Sequence, residues 1–245
     1  MVAVAMIACV AAVSVQAQRF RIGEPVRPNP EYDGQFTFVR LRYGEPVPYV
    51  NQRVFWSHDY PVGERHFMQI LDEVSYLRPK VEETSILGLE DPELFRYPVA
   101  YMAEPGYWFI TDNEAEVFRT YLKKGGFVIF DDFSEGRGGW TNFEYAFRRV
   151  IPEARFYDLD SSHPIFHSFF EISSLDIVPT YDAWQPSLRA VFEDNDPSRR
   201  MIAMINYNTD ISEFWEYSTT GLYPIVDTNE AYKLGVNYVI YAMTH

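Results

Sequence analysis

The chain has 245 residues, a formal net charge of −14 and a single cysteine, Cys9. That acidity argues against nucleic acid, whose affinity rests on Lys and Arg neutralising phosphates, and against a polybasic membrane contact. A hydrophobic fraction of 47% that includes 18 Tyr and 19 Phe predicts a substantial core dominated by ring packing.

Residues 1–17 read as an export signal. Val2 to Val15 are small and apolar, and Val15-Gln16-Ala17 has the small-x-small form of a cleavage site, so cleavage is expected after Ala17 and the mature chain is expected in the periplasm or outside the cell. The apolar run is about 14 residues, short of the roughly 20 that span a bilayer, and no later segment has a membrane-spanning pattern. Cleavage removes Cys9 and leaves a mature chain with no thiol nucleophile, disulfide or cysteine ligand. Residues 18–35, rich in Pro, Gly and charge, read as an extended arm. Residues 36–245 read as one α/β domain.

Phe36 to Arg42 alternate and predict the first core strand. A long loop, 43–63, carries Trp56-Ser57-His58-Asp59-Tyr60-Pro61, and long irregular loops in compact domains are often functional. Residues 64–77 form an amphipathic helix with Phe67, Ile70, Leu71, Val74 and Leu77 on one side. A short strand is expected near Val81, and Asp91-Pro92-Glu93-Leu94-Phe95 is a turn. Residues 97–133 then read as strand, loop, helix, turn, strand. Thr111 and Glu114 make a T-x-x-E capping box, Lys123 and Lys124 complement the helix dipole, and Gly125 permits a left-handed exit. Phe127-Val128-Ile129-Phe130 is the unbroken apolar run of a parallel strand covered on both faces. It ends on Asp131 and Asp132. Beyond it come a glycine-rich loop (134–139), a helix (140–150), a strand (155–159), a turn through Ser161-Ser162-His163-Pro164, and a hairpin of 188–193 with 201–206. Residues 206–216 read as a polar-aromatic loop in which Asn206, Asp210, Trp215 and Glu216 suit stacking on a sugar. Asp227 and Glu230 suggest a second capping box on a terminal helix whose buried face is Ala231, Leu234, Tyr238 and Tyr241.

Several phrases taken together, FTFVRLRYG, WSHDYP, DPELFRYPVAYM, YLKKGGFVIFDDF, SSHPIF and YKLGVNYVIYAMTH, resemble in their order an uncharacterised bacterial family, domain of unknown function 4159. The resemblance spans residues 36–245. It implies a fold similar to that of class I glutamine-amidotransferase-like proteins: a flavodoxin-like, three-layer α/β fold with a mostly parallel central sheet and helices on both faces, here with a C-terminal hairpin and terminal helix. It implies no established activity. True amidotransferases place a Cys on a strained elbow after a strand and follow a His with Pro-x-Glu. Here the matching strand ends in Asp131-Asp132-Phe133, and His163-Pro164 is followed by Ile165 and Phe166. Glutamine hydrolysis through a thioester is therefore excluded.

Ligands in open α/β sheets bind beyond the carboxyl ends of the strands. Asp131 and Asp132 mark that edge, and strand alternation predicts that only one of them faces the crevice. Candidate ligand-site residues are Asp131, Asp132, His163, His58, Asp59, Arg40 and Arg42. The carboxylates and histidines suit metal ligation or acid–base work, and each also has a structural reading as a loop cap or turn hydrogen bond. Arg40 and Arg42, two apart on a strand, are expected to point the same way, into the crevice or into a salt-bridge network. No His-Glu-x-x-His, EF-hand, dinucleotide, Walker or Gly-x-Ser-x-Gly motif occurs, so no metal or cofactor is predicted from motif and no catalytic residue is assigned. The expected function is an exported, non-catalytic module binding a small molecule, glycan or envelope protein. The alternative is a carboxylate- and His-dependent hydrolase or lyase, with or without a metal ion, acting on a sugar-like substrate.

Overall fold

The computed structural model describes residues 23–245 except 52, 137, 177 and 180–183. The expected signal segment and the start of the arm lie outside the described residues. In the arm, β1 (Glu24–Pro25) pairs antiparallel with β3 (Tyr49–Val50). Further along, the Asn29 side chain both donates to and accepts from the backbone of Ile86, covering the outer edge of the main sheet.

That sheet has seven strands in the order β4 (Thr84–Gly88), β2 (Phe38–Arg42), β5 (Val99–Ala103), β6 (Phe127–Phe133), β9 (Met201–Tyr207), β8 (Ser187–Phe192) and β7 (Tyr157–Asp158). The first five are parallel to one another; β8 is antiparallel to β9, and β7 to β8. Helices α1 (Val62–Val74), α4 (Ile211–Glu216) and α5 (Ile225–Thr244) cover one face, and α2 (Asp112–Lys123) and α3 (Gly139–Val150) the other. The result is a three-layer α/β fold, compatible with a flavodoxin-like arrangement.

Alternation along each strand divides the core. Ala100, Met102, Val128 and Phe130 join Phe118, Phe143 and Phe147 under α2 and α3. Val99, Tyr101, Phe127 and Ile129 join Phe67, Trp215 and Tyr238 under α1, α4 and α5. Because both faces are covered, every residue of β5 and β6 is buried, which is why those strands read as unbroken apolar runs. The capping box of α2 is formed as expected, with the Thr111 side chain accepting from the Glu114 amide and Glu114 accepting from the Thr111 amide, and Gly125 leaves the helix at φ 114°. The hairpin pairs β8 with β9.

Three local expectations are corrected. The strand expected near Val81 begins at Thr84. The terminal helix starts at Ile225 after Pro224 with no side-chain cap, so Asp227 sits inside its first turn and Glu230 pairs with Lys233 at 2.6 Å. Residues 211–216 are a helix, capped by Asp210, whose carboxylate accepts from the Glu213 amide.

Candidate functional site

Backbone strain concentrates at the carboxyl edge of the sheet. Of the seven described non-glycine residues with positive φ, four lie there, Asp59 (61°), Glu104 (44°) and Asn208 (60°) in loops and Asp132 (59°) near the end of β6. Each such residue costs on the order of 1–3 kcal/mol, and such strain clusters where the surrounding structure holds it for a purpose.

Asp132 shows what the strain does. β6 pairs with β9 through Phe130 and Ile205, then through Phe133 and Tyr207, so β6 carries one extra residue. This bulge interrupts the alternation. Phe133, not Asp132, takes the place facing α3, and Asp132 swings to His58, with its Oδ2 2.7 Å from the imidazole Nδ1. Asp131 keeps its regular direction beneath the start of α4. There it accepts from Asn206 Nδ2 at 3.0 Å, from the Ser212 amide at 3.1 Å and from the Ile211 amide at 3.4 Å, with the Tyr101 hydroxyl 3.0 Å from its Oδ2. Asp131 is thus a buried anchor beneath α4, while Asp132 turns to His58.

Two further loops close on them. His58 Nδ1 lies 3.3 Å from Asp59 Oδ1, and Ser212 Oγ donates to Asp59 at 2.5 Å while lying 3.1 Å from Asp210 Oδ1. The His58 loop is held from below. Arg40 Nη1 donates to the carbonyls of Trp56 at 3.0 Å and His58 at 2.8 Å, and its Nε pairs with Glu64 at 2.6 Å in full burial. One potential metal-ligand atom from each of His58, Asp59, Asp132 and Asp210 lies within 4.8 Å of every other, and Asp59, Glu213 and Glu216 form a second such group. The three aspartates are buried, while the His58 side chain is 26% exposed and forms the mouth.

This packing strains the electrostatics. Burial drives the Asp131 carboxyl up to about 7, with the charge of Asp132 adding to it against the hydrogen bond from Asn206. Burial, and then the charges of Asp132, Asp59 and Asp131, push Asp210 well above the usual carboxylate range. Glu216 is raised to about 8 by burial and by Asp59. Burial alone would favour a neutral His58, but the Asp132 and Asp59 carboxylates outweigh it and hold the imidazole protonated far above its ordinary value. Burial also raises Asp59, yet His58 overcomes this and leaves it below the ordinary value. Asp59 and Asp132 thus face the His58 imidazolium directly, and Arg40 is matched by Glu64.

Residues 37–243 match the model of a family described as Domain of unknown function (DUF4159). The chain belongs to this family. No curated protein matches it.

In this DUF4159 domain the structure brings together five of the seven sequence-predicted residues, His58, Asp59, Asp131, Asp132 and Arg40, the last as the support of the His58 loop. Arg42 does not share Arg40's setting. Its guanidinium turns at the strand end to the Gly44 carbonyl and lines a separate cleft. His163 packs against Phe192 and Tyr241 at ring-centroid distances of 5.8 Å. Phe192 pairs with Met201 at the start of β9, the amino edge of the parallel strands, so His163 lies at the end of the sheet opposite the aspartates. Asn206 and Trp215 are buried, and Trp215 stacks on Phe67 at 4.3 Å, so neither offers a face to a sugar. The members that sequence reading did not place in the crevice are Asp210, Tyr101, Ser212 and Glu216. The D-x-x-E spacing of Asp210 and Glu213 is the signal that marks the cap and hence Asp210.

No helix among the described residues is long and apolar enough to cross a membrane.

Proposed function

We propose that this domain works outside the cytoplasm as a divalent-cation-dependent binding module. The cation is held at the carboxyl edge by His58, Asp59, Asp132 and Asp210, and its open positions take a polar, oxygen-bearing ligand, a small molecule or a glycan of the cell envelope. The observation that carries this reading is the convergence of four ligand-type side chains from three separate segments within 4.8 Å. Divalent ions are bound at about 2.0–2.6 Å, so ligands on opposite sides of one ion stand about 4–5 Å apart. The electrostatics support it as well: burial and mutual repulsion favour protons on Asp210 and Asp131, and a bound cation would take over that neutralising part. Asp59 Oδ1 is buried and faces into the cluster, 3.3 Å from His58 Nδ1. One imidazole among carboxylates suits Mn²⁺ or Zn²⁺ better than an all-oxygen cage would. The apolar segment ending in Val15-Gln16-Ala17 supports export.

The test is elemental analysis of protein purified without chelator, followed by thermal unfolding of the apo protein with Mg²⁺, Ca²⁺, Mn²⁺ and Zn²⁺. The expected result is a near-stoichiometric ion, or a rise in Tm with one of the four, lost in Asp132→Asn and Asp210→Asn. An ion-free protein that none of the four stabilises would overturn the reading.

Glu216 favours a second reading, hydrolysis or elimination on a sugar-like substrate. Raised to about 8 and only partly buried at the same crevice, it is protonated at neutral pH and suited to donate a proton to a leaving group. Turnover lost in Glu216→Gln, with folding and ion content intact, would establish it. Turnover that survives that change would sink it.

A further inference from the structure

A second cleft opens at the same edge of the sheet but on the α2–α3 side. Its floor is the strand ends at Arg42 and Gly88, one wall is the loop Trp108–Phe109–Ile110, and the other is the outer face of α3 at Tyr145 and Arg149. Its volume is about 620 Å³, within the roughly 300–1,000 Å³ of small-molecule sites.

Two features of this cleft have no use in folding. Phe109 is 78% exposed and Tyr145 68% exposed, although the residues on either side of Phe109, Trp108 and Ile110, are buried. Leaving a large ring in water forgoes on the order of 2 kcal/mol of burial, and two such rings line one cleft. Trp108 is 1% exposed and lines the cleft, and its indole N–H has no acceptor among the described residues. That N–H is itself shielded from solvent, so the two exposed rings are what a ligand in the cleft would meet. The walls are nonetheless rigid. Asn142 Nδ2 donates to the carbonyls of Gly106 at 2.8 Å and Trp108 at 3.2 Å, and the Trp108 ring packs on Phe130 and Phe118. Arg149 is held by the Ile110 carbonyl and by Asp112. A Cβ at position 88 would lie 3.1 Å from Arg42 Nη2, so glycine there leaves room for the guanidinium on the floor.

The polar lining selects against charge. Arg42 and Arg149 are matched by Glu45, Glu90 and Glu114 around the same cleft, and the chain carries −14 overall. A phosphate or other polyanion gains nothing here. Exposed aromatic faces for the C–H surface of a pyranose ring, interleaved with planar carboxylates and guanidiniums for its hydroxyls, are the chemistry of a neutral saccharide. We infer that this cleft is a second ligand site, separate from the cation crevice, that binds a neutral oligosaccharide.

The experiment is isothermal titration of the full chain with chitotriose, cellotriose and maltotriose, with and without EDTA. Variants are Phe109→Ala and Tyr145→Ala, whose exposed rings can be removed without opening the core, and Tyr76→Ala as a fully exposed aromatic elsewhere. The expected result is binding of at least one trisaccharide at about millimolar affinity or tighter. That binding is weakened at least about tenfold, or 1.4 kcal/mol, by each cleft variant, and is unchanged by Tyr76→Ala or EDTA. Failure of all three sugars to bind, binding indifferent to both cleft variants, or binding abolished by EDTA would each overturn the inference. The EDTA result would move the sugar to the cation crevice and leave that reading standing, and the other two leave the cation reading untouched.

Discussion

His58 and His163 look alike as sequence, each in a short polar segment beside an aspartate or a proline, yet they sit at opposite ends of the sheet and are pushed in opposite directions. His58 meets Asp132 and Asp59 at the carboxyl edge and is held protonated. His163 lies between Phe192 and Tyr241, its Nδ1 accepts from the Ile165 amide at 3.2 Å, and burial lowers its pKa. One ring is a charged member of a strained cluster; the other is a neutral cap on a 3₁₀ turn. What separates them is the topology. Parallel strands deliver their carboxyl-end loops to one edge, and the amino edge receives only the turns that return the chain.

The comparison breaks most severely if the support beneath His58 is removed. Arg40→Met strands Glu64 in full burial and deletes both guanidinium bonds to the His58 loop. Breaking one side of a buried pair costs about 3–5 kcal/mol, and chemical denaturation should show a loss of that size. Arg40→Met with Glu64→Leu should recover much of the stability without restoring cation binding, because the carbonyls of Trp56 and His58 still lack their donor. Full recovery of cation binding in the double variant would show that Arg40 plays no positioning part.

Asp132→Asn sharpens the contrast. It removes a buried charge while keeping the shape, so the apo protein should be as stable as the parent or slightly more so, a frequent outcome at sites built for function. The stabilisation by a saturating cation, about 2.7 kcal/mol at a hundredfold excess over Kd, should vanish. In NMR titration the His58 midpoint should move down toward the ordinary histidine value while that of His163 stays where it was. A His58 midpoint that does not move would mean that Asp132 is not what holds the proton.

Much of the scaffold was legible because its signals are local. Helix α2 announces itself through Thr111, Glu114 and Gly125, and β6 through an apolar run that only a doubly covered strand tolerates. The site was half legible. The loop around His58 and the aspartates after β6 stand out in the sequence, but their meeting depends on long-range contacts. The bulge that frees Asp132 from alternation comes from pairing with β9, some 70 residues away, and residues 127–133 carry no sign of it. Asp210 was obscured because a six-residue helix is too short for periodicity to show, although its capping spacing was there. His163 was drawn toward the site by its composition, and nothing local says at which edge a turn will lie.

The pH dependence separates the two edges by sign. Asp131, fully buried, is raised from an ordinary 3.8 to about 7. The fold therefore binds its proton more tightly than the unfolded chain does, and stability falls as pH rises between those values. Asp210 and Glu216 act in the same direction. His163 is lowered below 6.5, so its contribution is complete above that value and is lost as pH falls below it. Denaturation of apo protein should thus show stability declining from about pH 4 toward pH 7, with His58 extending the decline above its ordinary 6.5, by no more than about 1.4 kcal/mol per pH unit for each group whose proton the fold holds and the unfolded chain has lost. Asp131→Asn should flatten the slope, and a bound cation should flatten or invert it. A parent slope that Asp131→Asn leaves unchanged would place the proton elsewhere.

The smallest effect belongs to the amino edge and tests whether the two ends are independent. His163→Ala removes the acceptor for the Ile165 amide and a ring between Phe192 and Tyr241. Loss of such a cap costs about 0.5–2 kcal/mol, and His163→Asn, which keeps an acceptor, should recover part of it. Neither change should alter the gain in Tm on adding cation, because sites without shared partners and more than about 10 Å apart behave additively. β9 alone rises seven residues, Met201–Tyr207, from the His163 end to the crevice end, about 20 Å at the usual strand rise. If His163→Ala reduced the cation response, the sheet would be transmitting a change along its length, and the division into a chemical edge and a structural edge would fail.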